Sequence, residues 1–135
     1  MASPFDIIES TGILPVIKIE KPETAVELAA AIRAGGINAI EVTVRNDSAL
    51  ESLARIKAAF PDMMAGAGTV TNVGMVKAAR GAGADFIVSP GFGKEMVEYC
   101  LADGIPVTPG CATPSEMQAA QELGLRVVKL FPANR

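Results

Sequence analysis

Ala39-Ile40-Glu41-Val42-Thr43-Val44-Arg45 alternates apolar and polar side chains with a period of two, the pattern of a β-strand. One face carries Ile40, Val42 and Val44, and the other carries Glu41, Thr43 and Arg45. β-Branched residues on the first face suit packing against helices. A carboxylate, a hydroxyl and a guanidinium on the second face are costly as pure structure. That face holds either a buried Glu41–Arg45 ion pair or a chemical site.

The same punctuation recurs along the chain. Apolar runs lie near 13–18, 38–44, 63–68, 85–88, 105–109 and 126–131, and stretches of helical periodicity separate them. Pro22 and Glu23 open one helix and Gly35-Gly36 closes it. Asn46, Asp47 and Ser48 offer caps for the next, which Phe60-Pro61 stops. Thr113-Pro114-Ser115-Glu116 is a capping box with proline at the first helical position. Pro4 to Ser10 is the material of a short leading helix.

Strands alternating with helices in this way predict βαβ units and a parallel sheet. A doubly wound sheet is one arrangement, but its Gly-rich dinucleotide loop is missing. The other is a (β/α)8 TIM barrel, typically ~250 residues long. The barrel turns Glu41, Thr43 and Arg45 inward, with Arg45 nearest the C-terminal mouth, where barrel active sites lie. Residues 1–135 then read as a single domain, the N-terminal portion of an α/β barrel with about six strands and five helices. The last two βα units would lie beyond it. An open six-stranded sheet leaves its first and last strands unpaired and exposes apolar surface.

The 135 residues are 50% hydrophobic, 20% charged and 4% aromatic, with a net charge of −3 and no basic run. Nucleic acid and anionic membrane surfaces are poor partners for such a chain. No run approaches 18 apolar residues, and the N-terminus has neither the basic nor the apolar region of a signal peptide. With no histidine and with Cys100 and Cys111 in no metal-type spacing, imidazole-ligated zinc is excluded and a disulfide framework is disfavoured. A cytoplasmic location is the expectation.

Arg126-Val127-Val128-Lys129-Leu130-Phe131-Pro132 reads as a buried strand with a lysine inside it. A desolvated lysine loses preference for its charged form, and a neutral amine at a strand end can form an imine with a carbonyl substrate. Alternation puts Val127, Lys129 and Phe131 on one face, so Lys129 turns inward like Glu41. The competing reading is a stem packed on the sheet with its head in water. Lys18, in Ile13-Leu14-Pro15-Val16-Ile17-Lys18, has similar flanks but no polar company, and stays with that plain reading.

Other strand ends add candidates. Ala65-Gly66-Ala67-Gly68-Thr69 leaves space for a ligand, or for tight strand–helix packing that needs glycine; Thr69 could donate to an anionic oxygen. Ser89-Pro90-Gly91-Phe92-Gly93 and Thr108-Pro109-Gly110-Cys111 read as rigid pocket loops or as plain turns.

Six landmarks now stand in order: Gly12-Ile13-Leu14-Pro15-Val16, Gly35-Gly36, Glu41 to Arg45, Gly66-Ala67-Gly68-Thr69-Val70, Ser89-Pro90-Gly91 and Lys129-Leu130-Phe131-Pro132-Ala133. In order and spacing the chain resembles the KDPG/KHG aldolase family, class I aldolases that cleave 2-keto-3-deoxy-6-phosphogluconate. The Glu-Val-Thr-Val-Arg strand resembles the phosphogluconate branch more than the galactonate one. The resemblance implies that Lys129 forms the Schiff base and Glu41 is the general acid/base. It also implies that Arg45 and Thr69 hold the substrate carboxylate, while Pro90 and Phe131 shape the pocket. Products would be pyruvate and glyceraldehyde 3-phosphate, or pyruvate and glyoxylate from 4-hydroxy-2-oxoglutarate. The class needs no metal or other cofactor, and its members are typically homotrimers. The family's phosphate loops follow strands seven and eight, and the Gly-Gly that usually follows Phe-Pro-Ala is replaced here by Asn134-Arg135. The alternative expectation is therefore a catalytically incomplete fragment or assembly element that retains the aldolase fold.

Overall fold

The computed structural model describes residues 3–134. Its strands are β1 (Val16–Ile17), β2 (Ala39–Thr43), β3 (Met64–Gly68), β4 (Phe86–Ser89), β5 (Val107–Cys111) and β6 (Lys129–Leu130). Its helices are α1 (Pro4–Thr11), α2 (Ala25–Ala34), α3 (Ser48–Ala59), α4 (Val73–Gly81), α5 (Lys94–Ala102) and α6 (Pro114–Glu122). A turn of 3₁₀ helix, Pro22–Thr24, leads into α2.

All neighbouring strands are parallel, and their spatial order is their chain order, β1-β2-β3-β4-β5-β6. A doubly wound sheet reverses its winding and shuffles that order. Unbroken order is the winding of a (β/α)8 barrel, here over six strands as a curled half-barrel. The predicted pattern of six strands and five crossover helices, with α1 leading, is what the structure contains.

Two faces of the sheet do different work. Ile40, Val42, Ala65, Ala67, Ile87 and Val107 turn outward and are buried beneath helical residues such as Leu53, Ile56, Val76 and Val97. Each valine, leucine or isoleucine among them contributes about 1.5–3 kcal/mol of burial free energy. The inner face carries Glu41, Phe86 and Val88, all buried. The helix signals read from sequence act as expected at α6, where Thr113 and Glu116 form the capping box, and at α2, which ends at Gly35 and Gly36. At α3 they do not: no side chain caps it. Asn46 Nδ2 and Ser48 Oγ instead both donate to the Ile19 carbonyl, fastening the end of β1 to the β2–α3 loop.

The strand entrances are held by a lysine. Lys57 Nζ donates to the Pro61 and Met63 carbonyls and to Asp85 Oδ2, the last at 2.7 Å. Asp85 Oδ2 also accepts from the Ala65 amide at 2.9 Å, so one carboxylate ties α3, β3 and β4 together. By contrast β1 and β6 each have one neighbouring strand, and Val16 and Leu130 are 54% and 56% exposed. No described helix is long and apolar enough to cross a membrane.

Asp85→Ala should cost about 1–3 kcal/mol, because it strips the Ala65 amide and the Lys57 ammonium of a shared acceptor. Urea denaturation of the two proteins checks this; a change within error would make the network ornamental.

Candidate active site

Register sets the inner wall. Val16, Glu41, Gly66 and Phe86 are paired in turn across β1 to β4, Val88 pairs Thr108, and Gly110 pairs Lys129. Partnered residues of parallel strands share a face. Glu41, Phe86, Val88, Thr108 and Lys129 accordingly line one cavity of about 230 Å³, with Phe5 and Ile8 of α1 closing one side. Its other walls are Leu14, Val16 and Val127.

Lys129 Nζ stands 3.9 Å from Glu41 Oε1. It also lies 5.0 Å from the centroid of the Phe131 ring, a cation–π distance. The sequence predicts a buried strand here, and the structure corrects that. β6 is two residues long, pairs with β5 alone, and leaves the Lys129 side chain 31% exposed. A strand with one neighbour cannot shield its side chains from water on both flanks.

Glu41 is the buried partner, only 3% exposed. Burial pushes its carboxyl above its ordinary value, while the Lys129 and Arg45 charges pull partly in the other direction. Desolvation is the larger effect, so the acid holds its proton to higher pH than a free glutamate. An amine and a reluctant acid facing each other in an apolar cavity are chemically competent for imine formation with proton transfer.

The Arg45–Glu41 ion pair that the strand pattern allowed is not formed. Arg45 is exposed, and its Nε donates to Thr69 Oγ1 at 3.4 Å. Thr69 has φ of 61°, a left-handed conformation that is rare for a β-branched residue. Pro90 is half-buried beside a separate pocket of about 280 Å³ with Phe92 and Met96. A Cβ on Gly110 would collide with the Pro90 carbonyl, which locks that loop onto β5 next to the Lys129 position. Lys18 pairs with Glu20 and is half-exposed, the plain role expected of it.

The glycines of β3 serve neither a ligand nor strand–helix packing. A Cβ on Gly68 would strike the Glu41 carboxylate, and one on Gly66 would strike the Phe86 ring. The room they make is filled by these two side chains rather than left for ligand. Phe86 is not among the sequence candidates, and Thr108 enters there only as part of a strand-end loop. Their phase was readable: Phe86 and Val88 alternate with Ile87 and Ser89, as do Thr108 and Gly110 with Pro109.

A family model described as KDPG and KHG aldolase matches residues 5–135. The chain belongs to the KDPG and KHG aldolase family. It is 44% identical over 133 residues to the 2-dehydro-3-deoxy-phosphogluconate aldolase of Treponema pallidum (strain Nichols), covering 98% of this chain and 63% of that protein. The KHG/KDPG aldolase of Escherichia coli (strain K12) is 36% identical over 127 residues, 94% of this chain and 60% of that one. The structure superposes at a TM-score of 0.93 and 37% identity on KDPG aldolase from Legionella pneumophila with pyruvate captured at low pH as a covalent carbinolamine intermediate. That match covers 98% of this chain and 65% of that one. The chain thus spans less than two thirds of the length of each of these relatives.

The raised pKa of Glu41 has a stability consequence. Above its ordinary value of 4.5 the unfolded chain has released a proton that the folded chain still binds, so stability falls as pH rises through the window between the two values. A glutamine cannot ionise and lacks this penalty, and Lys129 can turn to water. The denaturation midpoint of Glu41→Gln minus that of the native protein should therefore increase from pH 4 to pH 8. A difference that stays flat or shrinks would contradict the assignment.

Proposed function

We propose that this chain carries the imine-forming centre of a class I aldolase that cleaves 2-keto-3-deoxy-6-phosphogluconate to pyruvate and glyceraldehyde 3-phosphate. 4-Hydroxy-2-oxoglutarate, giving pyruvate and glyoxylate, is a second substrate of the same chemistry. The observation that carries the reading is the 3.9 Å approach of Lys129 Nζ to the buried Glu41 at an apolar cavity wall. The covalent carbinolamine of the Legionella relative supports it.

The unprotonated Lys129 amine attacks the C2 ketone and forms a carbinolamine. Glu41, in its acid form, gives a proton to the departing hydroxyl, and water leaves with formation of the protonated imine. The Glu41 carboxylate then takes the C4 hydroxyl proton. The C3–C4 bond breaks, its electron pair passes into the enamine, and the aldehyde product departs. Glu41 returns the proton to C3, giving the pyruvate imine, and hydrolysis with Glu41 as base frees pyruvate and Lys129. Arg45 and Thr69, hydrogen-bonded at the mouth, are suited to the substrate carboxylate. Phe131 stacks beside the amine, and Pro90 shapes the neighbouring loop. The site's chemistry calls on no metal or organic cofactor. Assembly as a homotrimer belongs to the same proposal.

The exposed edges β1 and β6 favour a second reading, in which the chain traps a keto acid without turning over the phosphorylated substrate. Steady-state cleavage of that substrate by the protein would dismiss it.

Pyruvate with borohydride should leave a reduced adduct on Lys129, located by peptide mass spectrometry, and none after Lys129→Ala. Label on Lys18 instead, or label that survives Lys129→Ala, would sink the imine role. Glu41→Gln should slow turnover by roughly 10²–10⁴-fold, the usual range for loss of a general acid/base. Near-native rates would remove Glu41 from the mechanism.

A further inference from the structure

Phe86 is the largest fully buried side chain, yet it lies outside the helix-facing core. It sits on the inner face in the row that contains Glu41 and is separated from it by the single residue Gly66. Adjacent strands are ~4.8 Å apart, so Glu41 and Phe86 stand about 10 Å apart at their backbones. The ring crosses that gap: it occupies the position a Cβ on Gly66 would take. Gly68, one step toward the mouth, yields its own Cβ position to the Glu41 carboxylate. Two glycine notches on β3 thus receive an aromatic ring and a carboxyl side by side, and both groups line the same cavity.

We propose that Phe86 is a positioning residue: its ring, seated in the Gly66 notch, presses the Glu41 carboxyl into the Gly68 notch toward Lys129 and keeps water from its flank. A carboxyl packed in this way has one direction of approach left, the cavity that also holds the amine. Apart from Lys129 and Arg45, the groups turned toward it are uncharged. β1 presents Val16, β4 presents Phe86 and Val88, β5 presents Thr108, and α1 presents Phe5 and Ile8. The upward push of burial on the Glu41 pKa agrees with this geometry. The inference rests on the aldolase reading only in naming Glu41 as the acid whose proton matters.

The test is a direct titration of the Glu41 carboxyl in the intact protein by carbon-13 NMR with labelled glutamate, the resonance assigned by its loss in Glu41→Gln. Phe86→Leu and Phe86→Val shorten the apolar wall in steps. The midpoint should fall from native to Leu to Val, toward the ordinary carboxylate value, as water reaches the carboxyl. Should these two variants not fold, Phe86→Met puts a narrower, flexible chain in the Gly66 notch and should lower the midpoint in the same direction by a smaller amount. A midpoint unchanged in a folded variant returns Phe86 to simple packing and overturns the proposal, even if Lys129 traps pyruvate. A lowered midpoint together with failed trapping would remove the aldolase reading and leave the hold of Phe86 on Glu41 standing.

Discussion

Burying one carboxyl on the inner face of a parallel sheet is the constraint from which the rest of this site follows. Glu41 is 3% exposed, and a carboxylate so placed costs free energy unless it is paired or protonated. The structure meets that cost halfway. Lys129 and Arg45 lower it electrostatically, the Gly68 notch makes room, and desolvation still dominates. A carboxyl whose burial raises its pKa gives up its proton less readily than a free glutamate, which suits a group that must donate a proton as well as accept one. A closer ion pair would spoil this, because hydrogen bonding to the carboxylate would hold both groups charged. At 3.9 Å the amine makes no hydrogen bond to it.

That cost can be sustained because the two faces of the sheet are divided between tasks. The helix-facing side is an aliphatic core with Ile40, Val42, Ile87 and Val107 under α3, α4 and α5. The strand entrances are fastened by Lys57, Asp85 and the Ala65 amide, far along β3 and β4 from Gly68 and Ser89. Nothing in that network faces the cavity, so stability and chemistry occupy opposite ends of the same strands, as barrel folds commonly arrange them. The mouth carries the less comfortable backbone, with Thr69 in a left-handed conformation against Arg45.

Much of this was legible in the chain, because period-two alternation is a direct consequence of strand geometry. Glu41 and Lys129 were placed on the inner face by phase alone, and the Thr113–Glu116 box marked its helix. Three features were not legible. The burial of Lys129 depends on how many neighbours its strand has, which is a property of the sheet and not of the segment. Asn46 and Ser48 look like caps, yet they bond across to Ile19, a contact 27 and 29 residues away in the chain. The glycines of β3 advertise space without saying what fills it; only the register to β2 and β4 assigns that space to Glu41 and Phe86. Arg45 shows the same limit from the other side. Its position on the polar face was right, but its partner is Thr69 across the strand rather than Glu41 along it.

This separation of Arg45 from Glu41 matters for the chemistry. A guanidinium bonded directly to Glu41 would hold the carboxyl ionised and leave no cation free at the mouth. Held by Thr69 and exposed, Arg45 instead keeps its remaining donors open to an anionic group entering from solvent. The inner strand therefore presents, in order along β2 and just past its end, a buried acid, a buried hydroxyl at Thr43 and an unspent cation. The spacing of two residues per inward side chain sets the separation of these groups along β2, and it is the same alternation that makes the segment a strand.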